Sequence, residues 1–402
     1  MNDPFGQAVD ATRYDIEFSV PQVQRLRFTA DCWGDDFPTL LELLSPSVEG
    51  VARVQVWLDQ GIADWDPGLP SRIAQQLSDS RPNSTPAADA TTIELVGDLR
   101  LLPGGEGVKN DPQYVESLLQ AFHHGELDRR SYVLAIGGGA VLDTVGYAAA
   151  IAHRGIRLIR MPTTTLAQAD SGVGVKNAVN WFAKKNWKGA FATPWAVIND
   201  QRLLAGLSDR DFCCGFSEAV KVALLKDAPF FDRLCAGAER IAMRAQPETE
   251  QAIRQSVLLH LKHITHGGDP FETKQARPLD FGHWSAHKLE AITQYAVRHG
   301  EAVAIGVAVD VAYSHLKLGL SLDVLQRTLA TLQALRLPIW NAAMNEDVIF
   351  DGLEEFRQHL GGELTITLIE EVGRPVDVHS IDRGAMREAM SMVQAQHAVV
   401  EA

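Results

Sequence analysis

The chain has 402 residues, 46% hydrophobic and 22% charged, which is ordinary globular usage and excludes a disordered tail or a collagen-like repeat. Its 51 acidic and 37 basic side chains give a net charge of −14, a poor balance for a general binder of nucleic acid or anionic membrane. Any phosphorylated small molecule must therefore meet a local basic pocket. The four cysteines form no CxxC pair, the apolar stretch 132–152 carries Asp143 and a glycine triplet, and the first residues lack a basic and apolar leader pattern. We expect a soluble, cytoplasmic protein without nucleic-acid or membrane partners.

In chain order, residues 14–20 and 23–30 alternate as strands do, 39–44 read as a short helix, and 51–59 as an apolar strand ending in Asp59. Residues 77–92 are rich in Ser, Pro, Asp and Thr and read as a surface loop. A strand over 92–102 precedes a helix capped by Asp111 with Pro112 at its first position. Residues 132–139 form a buried strand entering the glycine turn Gly137-Gly138-Gly139, the helix 141–153 follows, and 156–162 and 195–200 are further strands. Alternating strands and helices predict a Rossmann-like parallel sheet. Beyond about residue 207 apolar residues recur at helical spacing, so we divide the chain into an α/β domain, 1–207, and an all-α domain, 208–402, with Ser208 capping its first helix.

Three loops at strand ends carry chemistry. Glycines in the 137–139 turn let a backbone approach a pyrophosphate held by a helix N-terminus, and Asp59 is placed to take a ribose hydroxyl. The loop 103–109 adds Glu106 and Lys109. Between 154 and 188 the cations are Arg154, Arg157, Arg160, Lys176, Lys184, Lys185 and Lys188, against the single acid Asp170; this run is where an anion should dock. Six of the thirteen histidines lie between 260 and 299. By spacing alone, His283 and His287 share a helix face as metal ligands do, with His299 and Glu218 as further candidates. His260, His263 and His266 read as partly exposed helix residues.

Taken in order, the motifs Pro103-Gly-Gly-Glu106-x-x-Lys109, Gly137-Gly-Gly-x-x-x-Asp143, His153-Arg-Gly155, Pro162-Thr-Thr-Thr-Leu-Ala-Gln168, Asp170-Ser-x-Val-Gly-x-Lys176, Lys185-Asn186, Glu218-Ala-Val-Lys221, Gly282-His-x-x-x-His287 and His299-Gly-Glu301 resemble the sugar-phosphate cyclases, whose best-known member is 3-dehydroquinate synthase. The resemblance covers roughly residues 50–370. It implies a dehydroquinate synthase-like fold, zinc or cobalt on Glu218, His283 and His299, and His287 as a catalytic group facing the substrate. It also implies NAD+ on Asp59, Glu106, Lys109, Gly138, Gly139, Asp143, Thr163, Thr164 and Lys185. Arg154, Asp170, Lys176, Asn186, Lys221 and Lys262 would surround a sugar phosphate, in a homodimer. The family's lyase cycle oxidises a ring alcohol, eliminates phosphate, returns the hydride and closes the carbocycle by an intramolecular aldol step.

The chain departs from this pattern where a 3-dehydroquinate synthase holds its substrate carboxylate. The Arg and Asn before the first metal-binding His are replaced by Ala276 and Asp280, with Arg277 one place off register. A C-terminal lysine pair gives way to Glu354-Glu355-Phe356-Arg357. Two carboxylates about 5 Å apart repel by roughly 3 kcal/mol at an effective dielectric of 20, about a hundredfold in binding. The main expectation is a 3-dehydroquinate synthase-like cyclase; the alternative is a cyclase of sedoheptulose 7-phosphate that makes a valiolone-type C7 cyclitol. A dehydrogenase of the glycerol dehydrogenase type and a non-catalytic NAD-binding relative are the further readings.

Overall fold

A computed structural model describes residues 8–10, 13–16, 18–46, 50–79, 92–182, 184–267, 271, 278–359 and 362–401. Its organising element is a seven-stranded parallel sheet. The strands lie in the order Arg25–Thr29, Ala196–Asp200, Arg157–Pro162, Tyr132–Gly137, Val51–Asp59, with Thr92–Leu95 and Arg100–Leu102 both on the far side of the last. Val51–Asp59 and Tyr132–Gly137 are neighbours whose chains leave in opposite directions, one toward Thr92–Leu95 and the other toward Arg157–Pro162. A crevice opens at such a reversal. The central strands are buried on both faces, as Ile, Val and Leu runs require. Helices cover the two faces in separate apolar clusters.

The helical half packs around the 20-residue helix His299–Leu318, buried from Gly300 to Ser314. The helix His283–Ile292 crosses it so closely that a Cβ on Gly306 would lie 2.0 Å from the Gly282 carbonyl oxygen. Gly282 itself has φ +80°, a conformation that costs other residues energy. Among the described residues no helix is long and apolar enough to cross a membrane.

Local signals agree with these elements. Asp111 accepts from the Gln113 backbone N–H and Ser208 from that of Asp211, each capping a helix. The structure also departs from the pattern. Residues 14–20 carry no strand among their described residues beyond Tyr14, and the strand expected over 92–102 is split in two. Residues 77–79 end the helix Leu69–Asp79; residues 80–91 of the expected loop lie outside the described residues, as do Ala276 and Arg277. Two antiparallel hairpins were not anticipated: Lys176–Trp181 with Lys184–Phe191, and Ile366–Glu371 with Arg374–Val378.

Candidate active site

The carboxyl ends of Val51–Asp59 and Tyr132–Gly137 form one wall. Asp59 is buried and accepts from the Gly61 N–H at 2.8 Å; burial pushes its carboxyl above the ordinary value against that bond and one from Gly138. A Cβ on Gly104 would lie 2.6 Å from Asp59 Oδ1, so the 103–107 loop closes over the aspartate only because a glycine is there. Gly138 opens the helix Gly139–Ile151 without a side-chain cap, which leaves backbone N–H groups facing the crevice. Thr163 donates its N–H to the Gly137 carbonyl, and Thr164 Oγ1 accepts from the Ala167 N–H.

Lys109 is buried in the adjoining corner. It donates to Asp143 Oδ2 at 2.8 Å and to Asn186 Oδ1, and lies 3.9 Å from Glu106. Asn180 ties this corner to the hairpin, donating to Glu106 at 2.9 Å and accepting from the Asn186 N–H at 2.8 Å. Next to it is a cavity of about 490 Å³ that Asn110, Asn180 and Lys185 help to line.

Across the crevice, three helices bring Glu218, His283 and His299 together. Glu218 Oε1 is 3.5 Å from His283 Nε2 and 3.6 Å from His299 Nε2. The outer ring nitrogens face away from this centre: His283 Nδ1 lies 3.1 Å from the Phe281 carbonyl and His299 Nδ1 3.1 Å from Glu290 Oε2. Both outer partners are acceptors, so each Nδ1 donates outward and each Nε2 is the nitrogen left facing Glu218, where an ion would bind. Two imidazoles and a carboxylate with anchored outer nitrogens suit a divalent zinc- or cobalt-type ion. The three donor atoms lie within 4.8 Å of one another. A second grouping, His287, Glu290 and His299, shares His299, but its His287 is exposed and one Glu290 oxygen is bound to Lys185. The spacing-based pair His283 and His287 thus divides. His283 joins the Glu218 cluster, while the His287 ring stands 5.9 Å from that of His299 on the open side.

Burial alone would raise the Glu218 carboxyl; Lys221, in direct contact, and the two histidines hold it well below its ordinary value. Lys221 also lies 3.7 Å from Asp170, which is 3.5 Å from His260 Nε2. Burial opposes the Lys221 charge, yet Glu218, Asp170 and, least of the three, Asp280 raise its affinity for the proton. The short turn Pro278–Asp280 packs against the helix Phe216–Lys226 that carries Lys221.

The sequence-derived substrate residues do not all converge. Lys176 begins the hairpin just past Gly174, which faces His260. Asn186 is drawn to Lys109, and Lys262 is exposed on the helix Glu248–His266. Arg154 is exposed beyond the far end of the helix Gly139–Ile151, about 20 Å of helix from the glycine turn. Two arginines of the basic run are structural rather than open to an anion. Arg160 is fully buried and donates to the carbonyls of Gly172, Gly174 and Lys176; Arg157 stacks on Tyr132 and Trp195. Glu290 was missed, although it shares a helix face with His283 and His287 at i, i+4 and i+7. His260, read as an ordinary helix residue, faces Asp170.

Models of the N-terminal and C-terminal parts of 3-dehydroquinate synthase match residues 100–214 and 215–356. The chain is 38% identical to a 2-epi-valiolone synthase from Actinosynnema mirum over 272 residues, 66% of this chain and 70% of the relative. It is 36% identical to a 3-dehydroquinate synthase from Halorhodospira halophila over 266 residues, 66% and 74% of the two chains. Among solved structures, a 2-epi-5-epi-valiolone synthase from Streptomyces hygroscopicus subsp. jinggangensis, with NAD+ and Zn2+ bound, superposes with a TM-score of 0.83 at 25% identity, covering 95% of this chain and 99% of the other.

Proposed function

Because the chain belongs to the 3-dehydroquinate synthase family, we propose that it is a sugar-phosphate cyclase working with NAD+ and a zinc or cobalt ion, which takes sedoheptulose 7-phosphate to a valiolone-type C7 cyclitol. The observation that carries the choice of substrate is Asp280. It ends a turn that packs against the helix of Lys221, and its negative charge reaches that ammonium, in a centre that already holds Glu218 and Asp170. A substrate carboxylate brought here would be a fourth negative charge against one ammonium and a divalent ion. A ketose phosphate with a hydroxymethyl group in that place adds none, and a carboxylate such as Asp280 would accept a hydroxyl hydrogen from it.

NAD+ supplies a reversible hydride acceptor and the metal ion a Lewis acid. This chain's own groups do the rest. Asp59, Glu106, Lys109, Gly138, Gly139, Asp143, Thr163, Thr164 and Lys185 hold the dinucleotide across the sheet reversal. Glu218, His283 and His299 would hold the ion at the helical wall of the crevice. Lys221, Asp170 and His287 line its substrate side, where Lys221 stabilises developing negative charge and His287 relays a proton. Lys176 supplies positive charge for the departing phosphate.

The test is phosphate release from zinc- or cobalt-loaded protein with NAD+, offered sedoheptulose 7-phosphate or 3-deoxy-arabino-heptulosonate 7-phosphate. The expected result is turnover of the first at least tenfold above the second, with no net NADH. Preference for the acidic sugar would overturn the reading of Asp280 and restore a 3-dehydroquinate synthase activity. Accumulating NADH would favour a dehydrogenase.

A further inference from the structure

Glu290 belongs to neither the metal set nor the cofactor set, yet it touches both. Its side chain is buried on the helix His283–Ile292, and its two oxygens have different partners. Oε2 lies 3.1 Å from His299 Nδ1, and Oε1 accepts from Lys185 Nζ at 3.0 Å. Lys185 comes from the hairpin strand Lys184–Phe191, on the opposite wall of the crevice, and borders the cavity of about 490 Å³ there.

We propose that Glu290 is a positioning residue through which NAD+ and the metal ion strengthen each other's binding. The inference rests on the assignment of His299 to the metal and Lys185 to the cofactor made above. One carboxylate is shared between a cation and an imidazole N–H, and neither gains its full charge while the other does. When an ion takes the lone pair on His299 Nε2, the Nδ1–H becomes a stronger donor and draws the carboxylate toward itself. Lys185 is then released to present more of its charge to the dinucleotide. In the other direction, a dinucleotide that engages Lys185 leaves the carboxylate to His299 and makes the imidazole a better ligand. The coupling is positive, and linkage makes it equal in both directions.

The experiment measures Co2+ affinity by the visible absorption of the bound ion, with and without saturating NAD+, and NAD+ affinity with and without Co2+. Wild type should show the same factor in both comparisons, about 5-fold or more. Glu290→Gln replaces one oxygen with an amide and removes the negative charge. It should weaken Co2+ binding about 10- to 100-fold, shift the cobalt absorption band, and bring the coupling factor to one. Lys185→Met approaches the same link from its more exposed end. It should lose the coupling while keeping the cobalt spectrum, and it stands as the test if the Gln variant fails to fold. His283→Ala separates the two levels of argument. Wild-type cobalt affinity in that variant would overturn the metal assignment itself. Loss of affinity there, with the coupling intact in Glu290→Gln or Lys185→Met, would overturn only the role of Glu290.

Discussion

The two walls of the crevice are built from different materials. The sheet side is largely backbone: a glycine turn, an uncapped helix N-terminus, and a loop that passes Asp59 only because Gly104 has no side chain. The helical side is made of side chains, with Glu218, His283 and His299 projected from three helices whose positions are fixed by a large apolar cluster. The first wall should therefore tolerate changes of charge better than changes of volume, and the second the reverse.

The largest expected effect tests the side-chain wall. Glu218→Ala or His283→Ala should weaken zinc or cobalt binding by more than the ~100-fold typical of a supporting residue, measured by metal content after dialysis. NAD+ affinity should fall no further than the loss of coupling through Glu290 accounts for. Wild-type metal content in either variant would mean that the cluster is not the metal site.

A smaller effect is expected on the backbone wall. Gly104→Ala places a methyl group 2.6 Å from the Asp59 carboxylate. Overpacking of this kind costs about 1–3 kcal/mol, so NAD+ affinity should drop roughly 5- to 150-fold by calorimetry while metal content stays at the wild-type level. Unchanged NAD+ binding would show that the loop has slack and that the contrast between the walls is overdrawn.

The effect most remote from ligand binding, on stability alone, concerns what holds the helices of His283 and His299 together. Asp310 is buried on the helix His299–Leu318 and accepts from the Gly282 N–H and the Trp284 indole N–H, both at 2.9 Å. Burial pushes its carboxyl up to about 7 against those two bonds. Its folded value lies above its unfolded one, so the folded state retains a proton that the unfolded state sheds between about pH 4 and 7. Stability from this group is complete below that window and is lost as pH rises through 7. Denaturant melts across pH 4–8 should show this fall in wild type, by about 4 kcal/mol at most, and a flatter profile for Asp310→Asn. Parallel profiles would remove Asp310 as the source.

Legibility in the sequence follows the range of the interaction. Asp111 before Pro112, and Ser208 three residues before Asp211, are local signals, and both helices begin where those signals stand. The strand Val51–Asp59 was readable because its nine residues are rich in β-branched valine and short for a helix. The grouping of Glu218, His283 and His299 was different, since spacing within one helix favoured His283 with His287. The competing arrangement, two histidines from different helices with a glutamate from a third, depends on packing that no local pattern encodes; only the resemblance of the whole motif series to the cyclases supplied it. The hairpin Ile366–Val378 did have a local sign, alternating residues around Gly373 with φ +85°, overshadowed by the helical periodicity on either side. Arg160 was misread because a cation within a basic run looks like part of it; its strand position, flanked by buried residues on both sides, was the sign to the contrary.

That arginine has a consequence for how the site responds to its solution. The segment from Gly172 to Asn177 is bound to a guanidinium that no water reaches. Mobile ions screen exposed charges over a Debye length of about 8–10 Å near physiological strength, but act far less on a charge sealed in the interior. Added salt should therefore weaken the attraction of Lys176 for an anion and leave undisturbed the backbone that carries it. Dependence on ionic strength would then report the side-chain charges of the crevice alone, with the scaffold as a constant background.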